Sequence, residues 1–196
     1  MALVIGLTVG AGFLVATTLR APEIQSYPPT VPAPEEVGAR RVGPVLVTVD
    51  ASDGDEWIYF DFSRGSVVES PTARGWDLAF QRHRIIVNGG PGFVGEGGVR
   101  PLPSTSLDSV DTVPDTAYVV NQRERDSTNP ALERWYDYSW TSHVLEPKPV
   151  VYAVRTADGR FAKLQILGYY CPGARPGCLT LRYVYQGDGG VDVRAP

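Results

Sequence analysis

Histidine, cysteine and methionine are nearly absent, at two, two and one among 196 residues. That scarcity excludes most site chemistry before any motif is sought. The two cysteines, Cys171 and Cys178, stand in Cys-Pro-Gly-Ala-Arg-Pro-Gly-Cys. The spacing is too long for a CxxC redox pair, and no second Cys/His pair completes a zinc site. No Gly-x-Ser-x-Gly, His-Glu-x-x-His or cysteine–histidine nucleophile pattern occurs. The carboxylates Asp61, Asp77, Glu96, Asp108, Asp111 and Asp115 are scattered, and their spacing does not place any two of them across a cleft as a glycosidase needs. The expectation is a protein that is not an enzyme. A formal net charge of −4 and a pI near 5.2 leave no basic field for nucleic acid. Long amphipathic helices are missing too, apart from a turn or two over Pro130–Tyr136.

What is abundant is turn chemistry. Twenty-one glycines and 17 prolines suit many short strands joined by tight turns. From Val42 onward the pattern has period two. Ile58, Phe60 and Phe62 fall on one face and Trp57, Tyr59 and Asp61 on the other, and Trp76, Leu78 and Phe80 alternate with Asp77, Ala79 and Gln81. Asp158-Gly159 marks a hairpin between strands over 150–155 and 161–170. A third strand follows the cysteine loop, with Leu179, Leu181, Tyr183 and Tyr185 on one face. The two Pro-Gly steps turn that loop and bring its ends together. A Cys171–Cys178 disulfide is the simplest reading, two free thiols the alternative, and the disulfide implies an oxidising compartment.

Two segments precede this domain. Ala2 to Leu19 carries no charge and three threonines. As a helix it would reach about 27 Å, close to the roughly 30 Å of a hydrocarbon core. With no basic n-region, no small-x-small cleavage site and no lipobox cysteine, residues 1–20 read as a transmembrane anchor in contact with the lipid bilayer through 2–19. A cleaved secretory signal is the alternative. Residues 21–44 hold six prolines and read as a stiff linker. Residues 45–196 form the β domain. Together these predict an all-β, antiparallel domain preceded by one transmembrane helix. The corresponding localisation is single-pass, with the globular domain on the periplasmic side.

Particular residues carry a family likeness. Trp57-Ile-Tyr-Phe-Asp-Phe, Trp76-Asp-Leu-Ala-Phe-Gln-Arg and Asn88-Gly-Gly, followed by Trp135-Tyr-Asp-Tyr, the run from Val151 to Ile166, and Tyr169-Tyr170, resemble the HmuY-like proteins over roughly residues 53–186. That resemblance implies an all-β fold and an exported, membrane-associated protein. It also implies haem as a cofactor, held in some members by two histidines and in others by methionines. Met1 lies outside the domain, so His83 and His143 would form the whole axial pair. Without the resemblance, each is an edge histidine with an ordinary hydrogen bond.

Two clusters remain. The glycine-rich run 89–98 lacks the Lys and following helix of a phosphate loop and reads as a flexible strand-to-strand connection. Trp135, Tyr136, Tyr138 and Trp140 place rings on both faces of a strand. One face belongs to the core, and the other offers a surface for a partner or a flat cofactor. The functional expectation is a non-catalytic accessory subunit of a larger membrane complex, photosynthetic or electron-transferring, with other membrane subunits as partners and no cofactor. The alternative is a haem-binding HmuY-like protein.

Overall fold

The computed structural model describes residues 24–69, 71–104, 106–122 and 128–196. The expected transmembrane segment, residues 2–19, lies outside them. The described residues form eleven strands: β1 (Arg41–Asp50), β2 (Ile58–Asp61), β3 (Ser66–Val68), β4 (Leu78–Gln81), β5 (Arg84–Val87), β6 (Gly98–Leu102), β7 (Tyr136–Tyr138), β8 (Leu145–Pro147), β9 (Val151–Arg155), β10 (Phe161–Cys171) and β11 (Arg175–Gln186). All their pairings are antiparallel. A five-stranded sheet runs β1-β11-β10-β9-β6, a four-stranded sheet runs β3-β2-β4-β5, and β7 and β8 form a separate hairpin.

The core follows from alternation. Leu179, Leu181, Tyr183 and Tyr185 of β11 are fully buried against Phe60 and Phe62 from the smaller sheet, with Tyr183 edge-on to both rings at 5.8 and 5.0 Å. The opposite face of β2 packs Trp57 and Tyr59 into a second cluster with Trp76 and Ala79. Trp76 therefore leaves the Leu78 and Phe80 face on which strict alternation places it. The cause is that β4 begins only at Leu78, and the chain bends at Asp77. There the Asp77 carboxylate accepts the Phe62 and Ala157 amide hydrogens at 2.8 and 2.7 Å.

Two expectations need correction. The strands begin at Arg41, inside the stretch assigned to a linker over 21–44, and the described part of that stretch does not stand free. The Tyr27 amide donates to the Tyr170 carbonyl at 3.0 Å, that of Thr30 to Thr48 at 2.9 Å and that of Val37 to Ser63 at 2.9 Å. Prolines that cannot join a ladder still let the residues between them bond sideways, so the segment is a strap across the sandwich. The glycine-rich connection is closely packed at its two ends, while Gly92 has open space around it and Val94 is exposed. Gly97 and Gly95 donate to the backbone and side-chain oxygens of Asn88, and a Cβ on Gly89 would overlap the Gly97 carbonyl. Over Pro130–Tyr136 there is a turn at Asn129, whose carbonyl accepts from Leu132 and Glu133.

Candidate functional site

The β4–β5 hairpin has a two-residue turn, Arg82-His83, closed by the Gln81–Arg84 pair. Arg82 has φ of 52°, a position that usually asks for glycine in such turns. It is held there by its amide bond to the Ala51 carbonyl (2.9 Å) and by its guanidinium on the Ser52 carbonyl (3.2 Å). His83 is thereby lifted to the edge of the sandwich. Beneath it, the Trp135 indole N–H donates to its carbonyl at 2.8 Å, and Tyr136 meets its ring edge-on at 5.9 Å. Desolvation by these neighbours, then the positive charges of Arg82 and Arg84, lower the imidazole pKa. The ring is therefore neutral at physiological pH and keeps a lone pair for a metal.

His143 comes from the β7–β8 hairpin. Ser139 organises that connection: its amide donates to the Val144 carbonyl (2.9 Å), its carbonyl accepts from the His143 amide (2.8 Å), and its hydroxyl accepts from that of Ser142 (2.7 Å). His143 sits at φ 59°, a left-handed conformation uncommon for a residue with a side chain. Its Nδ1 is 2.5 Å from the Tyr138 hydroxyl.

These two turns border one open cleft of about 520 Å³. Its walls are Ile24 of the strap, Val144 and Leu145 of the hairpin, and Tyr169 and Tyr170 of β10, with Arg82 at one side and Ala174 and Pro176 at the other. Consecutive tyrosines on a regular strand point to opposite faces. Here the register of β10 against β11 shifts on either side of Gly168, so both reach the cleft, with rings 5.2 Å apart. Tyr170 also accepts the Leu145 amide hydrogen through its hydroxyl at 2.9 Å, which ties the hairpin to the large sheet. An adjoining hollow of about 370 Å³ shares Ile24, Val144, Leu145, Tyr169 and Tyr170 but has no histidine. The chemistry therefore concentrates in the first.

The cysteine loop closes one end. Cys171 and Cys178 are bonded, S–S 2.07 Å, and the loop between them supplies Ala174 and Pro176. Asp50 lies beside the two sulfurs, but a disulfide offers no thiolate, and Asp50 is paired with Arg175 at 2.9 Å. This group is no metal centre.

The aromatic cluster divides. Trp135 is wholly buried in the main core, which removes it from any partner surface. Tyr136 is half-buried, and Tyr138 and Trp140 are 39% and 83% exposed. The sequence places rings on both faces but does not say which face is inside. Only contacts with residues far along the chain, such as His83 and Tyr169, decide that. Ile24 escapes sequence reasoning, since it lies in no pattern that marks a site, and Arg82 enters only as the last residue of the Trp76 motif, with no sign that it borders a cleft.

A two-sheet antiparallel sandwich with two histidine-bearing turns over an aromatic cleft defines the class. A family model described as HmuY protein matches residues 53–183. The chain belongs to the HmuY family. Among solved structures it resembles three bacterial proteins. One is the apo HmuY analog of Tannerella forsythia (17% identity, TM-score 0.60, covering 77% of this chain and 99% of that one). Another is a provisionally named HmuY-like haem-binding protein of Bacteroides vulgatus (22%, TM-score 0.60, 77% and 98%). The third is a provisionally named lipoprotein of Bacteroides fragilis (20%, TM-score 0.60, 78% and 93%). At these identities the likeness is one of fold. Comparison with curated proteins gives no match.

The single-pass membrane localisation expected from the sequence is overturned. No helix among the described residues is long and apolar enough to cross a membrane, and the structural relatives include a provisionally named lipoprotein.

Proposed function

We propose that this chain binds haem in the cleft between the β4–β5 turn and the β7–β8 hairpin, with His83 and His143 as axial ligands. The observation that carries the reading is that the two histidines of the chain, 60 positions apart in sequence, border one cleft. The donor set fits. Two imidazoles are a known axial pair type for iron, and apolar and aromatic walls suit the macrocycle. Arg82 supplies a cation within reach of the rim, where carboxylate side groups of a porphyrin need a partner. Bound iron would supply the ligand bonds, and the chain would supply their placement and exclude water from the porphyrin faces. On this reading the protein is a binder and not an enzyme.

Membership of the HmuY family and the fold shared with an HmuY-like haem-binding protein favour this function. The accessory-subunit expectation draws on residues 2–19, which lie outside the described residues. Neither the fold nor the comparisons add to it, and it gives way.

Titrating the protein with haemin tests the reading. The expected result is a saturable, six-coordinate low-spin absorption spectrum at one haem per chain. Replacing His83 or His143 with Ala should each abolish the low-spin form. A spectrum indifferent to both substitutions would exclude axial ligation by this pair.

A further inference from the structure

The His143 ring is held by more than its backbone. Its Nδ1 lies 2.5 Å from the Tyr138 hydroxyl, with the ring centroids 6.0 Å apart and tilted by 45°. Trp140 packs edge-on against the Tyr138 ring at 5.0 Å and 84°. His143 borders the cleft, whereas Tyr138 stands behind it on β7. The imidazole is thus gripped on the nitrogen nearest its own backbone, leaving Nε2 as its other nitrogen.

We propose that Tyr138 is the positioning partner of His143, accepting the Nδ1–H hydrogen in its phenolic oxygen and so keeping Nε2 bare for iron. The proposal rests on the haem reading above. A neutral imidazole has one N–H and one lone pair, and the partner of one nitrogen selects the role of the other. A tyrosine hydroxyl both donates and accepts. When Nε2 takes a metal, the proton resides on Nδ1, and the same 2.5 Å contact persists with the phenol as acceptor. No proton enters or leaves the pair. An acceptor on Nδ1–H makes the imidazole a stronger donor to iron and locks the ring plane. Among the described residues His83 has no such side-chain hydrogen bond, and its contact with Tyr136 is a T-shaped ring pair at 5.9 Å. The two axial positions are therefore unequal, with His143 the better electron donor.

The test compares the wild-type full chain, Tyr138→Phe and Trp140→Ala, each loaded with haemin. Tyr138→Phe keeps the ring and its packing and removes only the oxygen. It should keep the low-spin spectrum, release haemin to an apomyoglobin trap about ten- to a hundredfold faster, and raise the Fe(III)/Fe(II) potential. Trp140→Ala disturbs the packing but keeps the hydroxyl, and should leave the potential at the wild-type value. A Tyr138→Phe protein with wild-type release rate and potential would overturn the proposal. So would a Trp140→Ala protein whose potential moves as far, because packing would then explain both. A wild type that never forms the low-spin species would overturn the haem reading and this proposal together, an outcome distinct from the other two.

Discussion

Asp77 shows how far one side chain can depart from its ordinary chemistry inside this sandwich. Burial pushes its pKa up to about 7, nearby Asp61 adds to the rise, and the amide hydrogens of Ala157 and Phe62 oppose it. Its two oxygens join the turn after β9 to the end of β2, and so one sheet to the other. The folded-state pKa is above the value of 3.8 for an unburied aspartate, so the folded protein binds this proton more tightly than the unfolded chain. The resulting contribution to stability is fully present below about pH 4 and is lost as pH rises to about 7. Asp77→Asn abolishes that slope. At pH 4 the carboxyl is protonated, but its hydroxyl oxygen can still accept where an amide NH2 cannot, so the variant leaves one of the two backbone donors unpaired and should be about 1–3 kcal/mol less stable there. The gap should narrow by pH 8, where the wild type buries a charge. Urea unfolding of both proteins at pH 4, 6 and 8 measures it. A wild-type curve parallel to that of the variant would mean that Asp77 is not the group responsible.

Among the elements, the β7–β8 hairpin matters most to the cleft, because it is short and joined to the rest by few bonds. The Leu145 amide donates to the Tyr170 hydroxyl at 2.9 Å, and at the base of the hairpin the Trp135 indole donates to the His83 carbonyl at 2.8 Å. Tyr170→Phe keeps the ring in place and orphans the Leu145 N–H. The expected cost is about 1–2 kcal/mol, with faster amide exchange confined to residues 138–147 while β10 and β11 stay protected. Uniform loss of protection would instead make the hairpin part of the global folding unit. Much of the scaffold was legible in the sequence because it is local. Asp158-Gly159 announces the β9–β10 turn, and Leu179 to Tyr185 alternate cleanly because one face of β11 is buried along its length. Of the candidate site only the two histidines were legible, through the family likeness and because the chain has no others; its walls were not, because they are assembled from distant segments. Ser26 bridges to Tyr170 across 144 positions, turning a proline-rich stretch that reads as a spacer into a wall of the cleft. Likewise His83 and His143 belong to different hairpins, and nothing in either neighbourhood signals the other.

At the scale of the molecule, the sandwich is closed by its ends. β1 lies against β11 from Arg41 opposite Gln186 to Asp50 opposite Cys178, so the first and last strands support each other in the large sheet. The cleft has Tyr169 and Tyr170 of this large sheet as one wall and is otherwise bordered by three separate pieces: the strap through Ile24, the β4–β5 turn of the smaller sheet through His83 and the hairpin through His143. A ligand that bonds two of these pieces at once stabilises the folded state beyond its local contacts, because unfolding any one piece releases it. If the unfolded chain does not bind, haemin free at a hundred times its dissociation constant adds about 2.7 kcal/mol. For a chain of this size that corresponds to a rise in Tm of about 5–10 °C. Replacing both His83 and His143 with Ala should remove the rise and leave the Tm of the ligand-free protein within about 2 °C, since both rings sit at the exposed rim and not in the core. The same rise in the double variant would mean that haemin adheres to the aromatic walls without axial ligation. A large fall in the ligand-free Tm would instead make the two turns part of what holds the sheets together.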